Sequence, residues 1–263
     1  MAHFDEDDNR IAKILFFFSA ILTISFTVLD IFGKFSHISN SLKLSGTILC
    51  FLYTVLLLFL YHADLDRVSL LLSMLFAAAA DVFLLFTGQY LVGMILFCFV
   101  QEFHSIRLLN VHRSIVRMNG RISSSYRSYK VWKALLFQNL FQLLLAAILP
   151  AAAIIWEIDN VWLGTAAIFY ITGFLINLFR VFAISGDVRL LDDMKPLRHY
   201  AFGMLSYFLC DLLLALVRLP EYIPFLHALS DYTKYAMPFI WPFYLFGLVL
   251  IAISGARHQN FYS

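Results

Sequence analysis

Eight apolar stretches, each long enough to carry a helix across about 30 Å of hydrocarbon at about 20 residues apiece, leave this chain little choice of fold. They fall at 11-33, 42-61, 67-87, 90-109, 133-155, 161-182, 200-219 and 237-255. Hydrophobic residues make up 62% of the chain and charged residues only 14%, more apolar surface than a soluble protein can cover. The expected fold is all-α: a polytopic membrane protein, a bundle of eight transmembrane helices forming a single domain over 1-263, with a short acidic tail at 1-10.

Lysine and arginine set the expected orientation, because cytoplasmic loops are enriched in them. With the amino terminus inside, fifteen of the nineteen basic residues fall on the inner side, leaving Lys34, Lys43, Arg218 and Lys234 outside. Both termini are then cytoplasmic, and the chain is expected in the cell membrane as a multi-pass protein. The acidic run Asp5 to Asp8 precedes the first span and no small-residue cleavage pattern follows it, so that span reads as retained. Trp132 and Trp156 bracket the fifth span about 36 Å apart along a helix, matching two aromatic belts.

Several chemistries are disfavoured. Cys50, Cys98 and Cys210 all fall inside spans, where they read as small apolar packing residues. The eight histidines lack metal-ligand spacing, and there is neither a glycine-rich phosphate loop nor a Gly-x-Ser-x-Gly elbow. No metal and no cofactor is expected. The basic stretch Asn110 to Lys130 reads as a topology-fixing loop or as a contact to anionic headgroups. Without a reading module it does not imply nucleic acid. The connection Pro220 to Lys234 is either an ordinary loop or a lid dipped into the interface, and Ser185 to His199 reads as a solvated turn.

Two acids interrupt this pattern. Asp81 lies within the apolar run Leu70 to Phe86, and Asp211 within Phe202 to Val217. A charge at such depth costs at least a few kcal/mol, so intramembrane acids normally face a bundle interior or a wet cavity and do work there. At about 1.5 Å per residue, Asp81 lies about 22 Å and Asp211 about 17 Å from the inner ends of their spans, on helices running the same way. The two carboxyls can therefore share a level, and a shared pocket, in the outer half of the membrane. Ala77 to Ala80 supply small residues beside Asp81, which serve either helix contact or ligand access. Asp30 and Lys43 reach the same half. Each has an ordinary explanation, hydration near the surface for Asp30 and snorkelling for Lys43, and a functional one, in which the lysine biases ionisation or holds a headgroup phosphate. Glu102, Gln101 and His104 form a polar patch in the inner half of the fourth span.

The stretch ending Ala80-Asp81-Val82-Phe83-Leu84-Leu85, followed by Gly93-Met94-Ile95-Leu96-Phe97, resembles the YhhN-like lysoplasmalogenase family, whose members carry a Gly-Asp step and then a Gly-x-x-x-Phe span. Gly203 to Asp211 is similar to that family's Ser-Asp motif, and Lys43 stands about where the family has a Lys-Pro pair. Gln101 stands where a family histidine is expected, and Gly247 where a glutamine follows a tyrosine. The resemblance covers spans two to eight.

What the resemblance implies is cleavage of the vinyl-ether bond of a lysoplasmalogen, giving a fatty aldehyde and a glycerophospho-alcohol. Protonation of the vinyl carbon produces an oxocarbenium-like cation that water attacks, so the site needs a proton donor and a carboxylate. Two carboxyls side by side in a low-dielectric site do not both ionise readily, which divides the two roles between them. The expected catalytic residues are Asp81 and Asp211, with Lys43, Asp30 and Gln101 binding substrate. The expected partners are a lysophospholipid or ether lipid and the surrounding membrane lipids. A family member that binds lipid without turnover, and a proton-coupled lipid transporter, are the alternatives.

Overall fold

A computed structural model describes residues 2–33, 35–61, 63–118, 127–148, 150–151, 161–187, 195–222 and 230–256. Among these residues the secondary structure is helical and contains no strand. The helices are α1 (Ala2–Phe32), α2 (Ser36–Leu60), α3 (Leu65–Val82), α4 (Tyr90–Met118), α5 (Arg127–Ala146), α6 (Val161–Asp187), α7 (Lys195–Tyr222) and α8 (Ser230–Ile253), with a π-helical turn at Phe83–Thr87. Seven of these segments are long and apolar enough to cross a membrane: Arg10–Phe32, Ser36–Leu60, Leu65–Thr87, Tyr90–His112, Val161–Ser185, Pro196–Val217 and Tyr235–Ile253. The chain is a multi-pass, all-helical membrane protein.

The expected fifth span, 133-155, is met in part. Its apolar helical portion runs from Lys133 to Ala146 and is shorter than the others. Pro150 accounts for the stop, since it cannot donate to the carbonyl four residues back and its ring crowds that carbonyl, which belongs to Ala146. Residues 152–160, and Trp156 with them, lie outside the described residues, as do 119–126 of the basic stretch, 188–194 of the turn before α7 and 223–229 of the connection before α8.

The chain divides into two compact units. The first comprises residues 1–53 and 195–256, and so contains α1, most of α2, α7 and α8. The α7–α8 pair is its centre. Gly203 and Gly247 face each other at the crossing, where a β-carbon on either residue would meet the other's carbonyl oxygen at 2.9 Å. Close approach through small residues replaces the hydrophobic drive that helices lack in lipid. Below the crossing, Ser206 Oγ donates to the carbonyl of Phe243 at 2.8 Å, and the rings of Tyr207 and Tyr244 lie 5.2 Å apart. α1 joins α8 through Phe16 and Phe246, and α2 brings Gly46 against Leu245.

The second unit, residues 54–194 and 257–263, holds α3 to α6. α3 begins at an aspartate cap, Asp64, whose side chain accepts the backbone N–H of Arg67 at 2.8 Å. Its buried stripe runs Asp66, Leu70, Ser73, Met74, Ala77, Ala80, Asp81, the three-four spacing of a helix face. The π turn then carries the chain to Gly88, whose φ of +67° suits glycine and closes the turn into α4. α4 lies along α3 through Phe76 stacked on Phe99 and Phe103, and along α6 through Phe97 and Tyr170.

Candidate functional site

In the first unit the turn from α1 to α2 builds a charged site. Gly33 and Phe35 both take left-handed backbone conformations, φ +62° and +66°, and reverse the chain tightly. Asp30 precedes that turn by three residues, while Ser39 and Lys43 follow it at helical i, i+4 spacing. The reversal therefore sets the aspartate against one face of α2. Lys43 Nζ pairs with Asp30 Oδ2 at 2.8 Å, and the Ser39 hydroxyl donates to Asp30 Oδ1. The lysine is buried and does not snorkel. Its ammonium lies 5.3 Å from the Trp241 ring centroid and 6.0 Å from that of Phe26, within the range where a ring face attracts a cation.

Aromatic contacts run on from there. Trp241 packs edge-on to Tyr244 at 5.2 Å, and Tyr244 meets Tyr207 on α7. One turn beyond Tyr207 the buried stripe of α7 continues through Cys210, and Asp211 stands at its edge, half-buried. Lys43, Asp30 and Asp211 thus belong to one unit, with Trp241, Tyr244 and Tyr207 forming a continuous wall from α8 to α7.

The Asp30–Lys43 pair is testable on its own. Converting Asp30 to Asn leaves a buried ammonium without its counter-charge, a change that costs about 3–5 kcal/mol where both partners are fully buried and less here, because Asp30 keeps 27% of its side-chain surface. The expected result is a lowered unfolding temperature in detergent, most of it regained when Lys43→Met is added. An Asp30→Asn protein as heat-resistant as the parent would show the pair to be energetically idle.

Asp81 belongs to the second unit. It is 1% exposed, on the same buried stripe as Ala77 and Ala80, both 0% exposed. The alanines serve close helix contact: on α4, a β-carbon at Gly93 would fall 3.4 Å from the carbonyl of Ala80 and 2.7 Å from the tip of Leu84. Two residues past Asp81 the α-helix gives way to the π turn. No proline or glycine within the third span announces that change, and π turns of this kind concentrate at functional positions. Asp81 and Asp211 fall in different units.

Gln101 lies in a buried polar network of the second unit. Asn177 on α6 donates to the Gln101 carbonyl at 2.9 Å and to its Oε1 at 3.3 Å. Ser105 donates to Asn177 Oδ1 at 2.8 Å, and Gln138 on α5 donates to Ser105 Oγ at 2.8 Å. Asn139 reaches Glu102 Oε2 at 3.2 Å, and Gln142 reaches the carbonyl of Phe169 at 3.1 Å. Nearer the start of α3, Arg107 and Asp66 form a fully buried ion pair at 3.0 Å, and Arg67 pairs with Asp64 while covering the Tyr61 ring.

Gln101, Glu102 and His104 stand out in the sequence as a polar patch, whereas the α5 and α6 residues that bond Glu102 and Gln101 do not. The signal is present: Gln138, Asn139 and Gln142 stand at i, i+1 and i+4 in the otherwise apolar stretch 134–146, one polar face inside a greasy one. Among the described residues no group of three or more His, Cys, Asp or Glu is arranged to hold a metal ion. Comparison with protein-family models, with curated proteins and with solved structures finds no match to this chain.

Proposed function

We propose that this protein is a lysolipid hydrolase of the cell membrane, an eight-span bundle with both termini cytoplasmic, akin to the YhhN-like lysoplasmalogenases. Its reaction adds water across a vinyl ether: a proton goes to the outer vinyl carbon, water attacks the resulting oxocarbenium carbon, and the hemiacetal collapses to a fatty aldehyde and the glycerophospho-alcohol. Asp81 is the proton donor, and Asp211 is the carboxylate that steadies the cation and takes a proton from water. Lys43 and Asp30 receive the headgroup, the ammonium exchanging its carboxylate partner for a phosphate oxygen, and Gln101 contributes from α4.

The single observation that supports this reading is the burial of Asp81, an acid 1% exposed within the apolar, alanine-rich stretch 74–86. Burying a carboxyl without a use for it is costly enough to be rare. A second reading, lipid binding without turnover, draws on a groove between α1 and α8. It measures about 360 Å³ and is walled by Phe16, Ala20, Pro242, Phe243 and Phe246. That is within the usual size range of ligand sites, and its lining suits one alkyl chain.

The deciding experiment incubates the purified protein with a lysoplasmalogen and, separately, with the acyl lysophospholipid of the same headgroup. Aldehyde from the first and no fatty acid from the second is expected. Free fatty acid from the acyl lipid would replace the ether-cleaving assignment with an ester-cleaving one. Saturable binding of either lipid with no product would favour the second reading.

A further inference from the structure

α5 is built inside out. From Ala134 to Ala146 its exposed side chains are apolar, among them Leu136, Phe137, Leu140 and Phe141, whereas the face it buries carries Gln138 and Gln142, with Asn139 half-buried beside them. That polar face meets Glu102 and Ser105 on α4 and the Phe169 carbonyl on α6, beside Gln101 and Asn177, so a polar surface lies in the interface of three helices.

Each of these groups uses only part of its hydrogen-bonding capacity. The bonds described above leave Gln101 Nε2, Glu102 Oε1, Gln138 Oε1, Asn139 Oδ1 and Gln142 Oε1 buried without a partner among the described residues. Gln101, Gln138 and Gln142 are each at least nine-tenths buried. Leaving five such groups dry inside a low-dielectric bundle would cost an amount comparable to the net stability of a folded domain.

The backbone makes room for this arrangement. Gly173 on α6 faces the interface, and the Gln142 amide nitrogen occupies the space a β-carbon at 173 would fill. Donation of that nitrogen to the carbonyl of Phe169 fixes the orientation of the amide, and so of the Oε1 that remains unpartnered.

The inventory of unmet groups selects the guest. Four are acceptors and one is a donor, so the site asks for a molecule that donates freely and also accepts. Water, with two donors and two acceptors, does both and is the usual occupant of a buried polar site.

We propose that the α4–α5–α6 interface of the second unit is an aqueous chamber within the membrane, a site for a cluster of ordered waters held by Gln101, Glu102, Gln138, Asn139 and Gln142. The chamber lies about 12 Å along α4 from Gly93, where α4 passes the Asp81 turn of α3, counting eight residues of helix. Its hydration does not depend on the hydrolase reading. Its use as the store of the water consumed in vinyl-ether cleavage does.

The test is pulsed X-ray footprinting of the full chain in lipid nanodiscs, in which hydroxyl radicals formed from bound water oxidise the side chains next to it. Cys98 is the reporter, one turn before Glu102 on the chamber face of α4. Met74, buried on α3, and Met204, buried on α7, are the references. Cys98 is expected to oxidise at least tenfold faster than either reference, and to lose most of that excess in a Gln138→Leu/Gln142→Leu protein. Oxidation of Cys98 no faster than the methionines would overturn the proposal, even if the double variant fails to fold. So would an excess that the folded double variant keeps, because the water would then lie elsewhere. A thermal shift produced by sodium chloride but not by choline chloride, and abolished by Glu102→Gln, would identify the guest as a cation and also overturn it. Absence of aldehyde release in the lipid assay would leave the footprint unchanged.

Discussion

Asp81→Asn is expected to abolish aldehyde release from lysoplasmalogen, a loss on the order of 100- to 10,000-fold, which is the usual contribution of a positioned acid–base group. Asparagine keeps the volume and shape of the carboxyl within a helix stripe that tolerates little change between Ala77 and Ala80, so the fold should survive. What disappears is the transferable proton. Asp211→Asn should lose activity to a similar degree for a different reason, because the proposed reaction needs its carboxylate to steady the cation and receive the proton from water. Initial rates of aldehyde formation at saturating substrate, alongside the unfolding temperature of each protein, provide the check. Full turnover by either variant at unchanged stability would remove that acid from the chemistry. A variant that loses both activity and fold would leave Asp81→Glu, which restores the acid in a longer side chain, as the informative comparison.

Much of the architecture was legible because membrane helices write their length and depth directly into the sequence. Seven of the eight expected spans coincide with apolar helices to within a few residues, and Asp81 falls on a buried stripe as its apolar surroundings implied. The eighth, at 133-155, was harder for a physical reason: Pro150 ends the α5 helix at Ala146, and hydropathy alone does not register that stop.

Rotation about the helix axis was far less legible than depth. Asp30 and Lys43 each had a separate ordinary explanation, and the structure replaces both with one ion pair beneath Trp241. Their meeting depends on two left-handed residues in the α1–α2 turn, one of them a phenylalanine, and no composition rule places that conformation at Phe35. The polar face of α5 is faint in the sequence because three amides in a helix carry no charge and so hardly disturb the apolar average. The π turn after Asp81 arises where the sequence shows only Phe83-Leu84-Leu85-Phe86-Thr87, with neither glycine nor proline to mark it.

Gly247→Val should unfold the first unit or prevent its assembly. Gly247 was the position at which the resembling family places a glutamine, and the structure gives the glycine a packing reason. A β-carbon there would lie 2.9 Å from the carbonyl oxygen of Gly203 and 3.1 Å from the backbone nitrogen of Tyr207, and one at Gly203 would meet the Gly247 carbonyl and the Ile251 nitrogen at 2.9 and 3.0 Å. These neighbours are backbone atoms of α7 and α8, which no rotamer change can move aside, so the helices themselves must separate. Overpacking that side chains can absorb costs about 1–3 kcal/mol, and a branched side chain driven into two helix backbones should exceed that range. Gly46→Ala is the internal comparison. Its new methyl would meet the side chain of Leu245, the terminal carbons at 2.7 and 2.8 Å and Cγ at 3.4 Å, and a leucine tip can swing away. Unfolding temperature in detergent should fall steeply for Gly247→Ala, further for Gly247→Val, and least for Gly46→Ala. Equal losses for Gly46→Ala and Gly247→Ala would mean that the α7–α8 crossing yields as easily as a leucine side chain. Because Tyr207 and Asp211 lie one and two turns beyond Gly203 on α7, the same separation would also shift the carboxyl that the proposed reaction relies on, and activity should be lost together with stability.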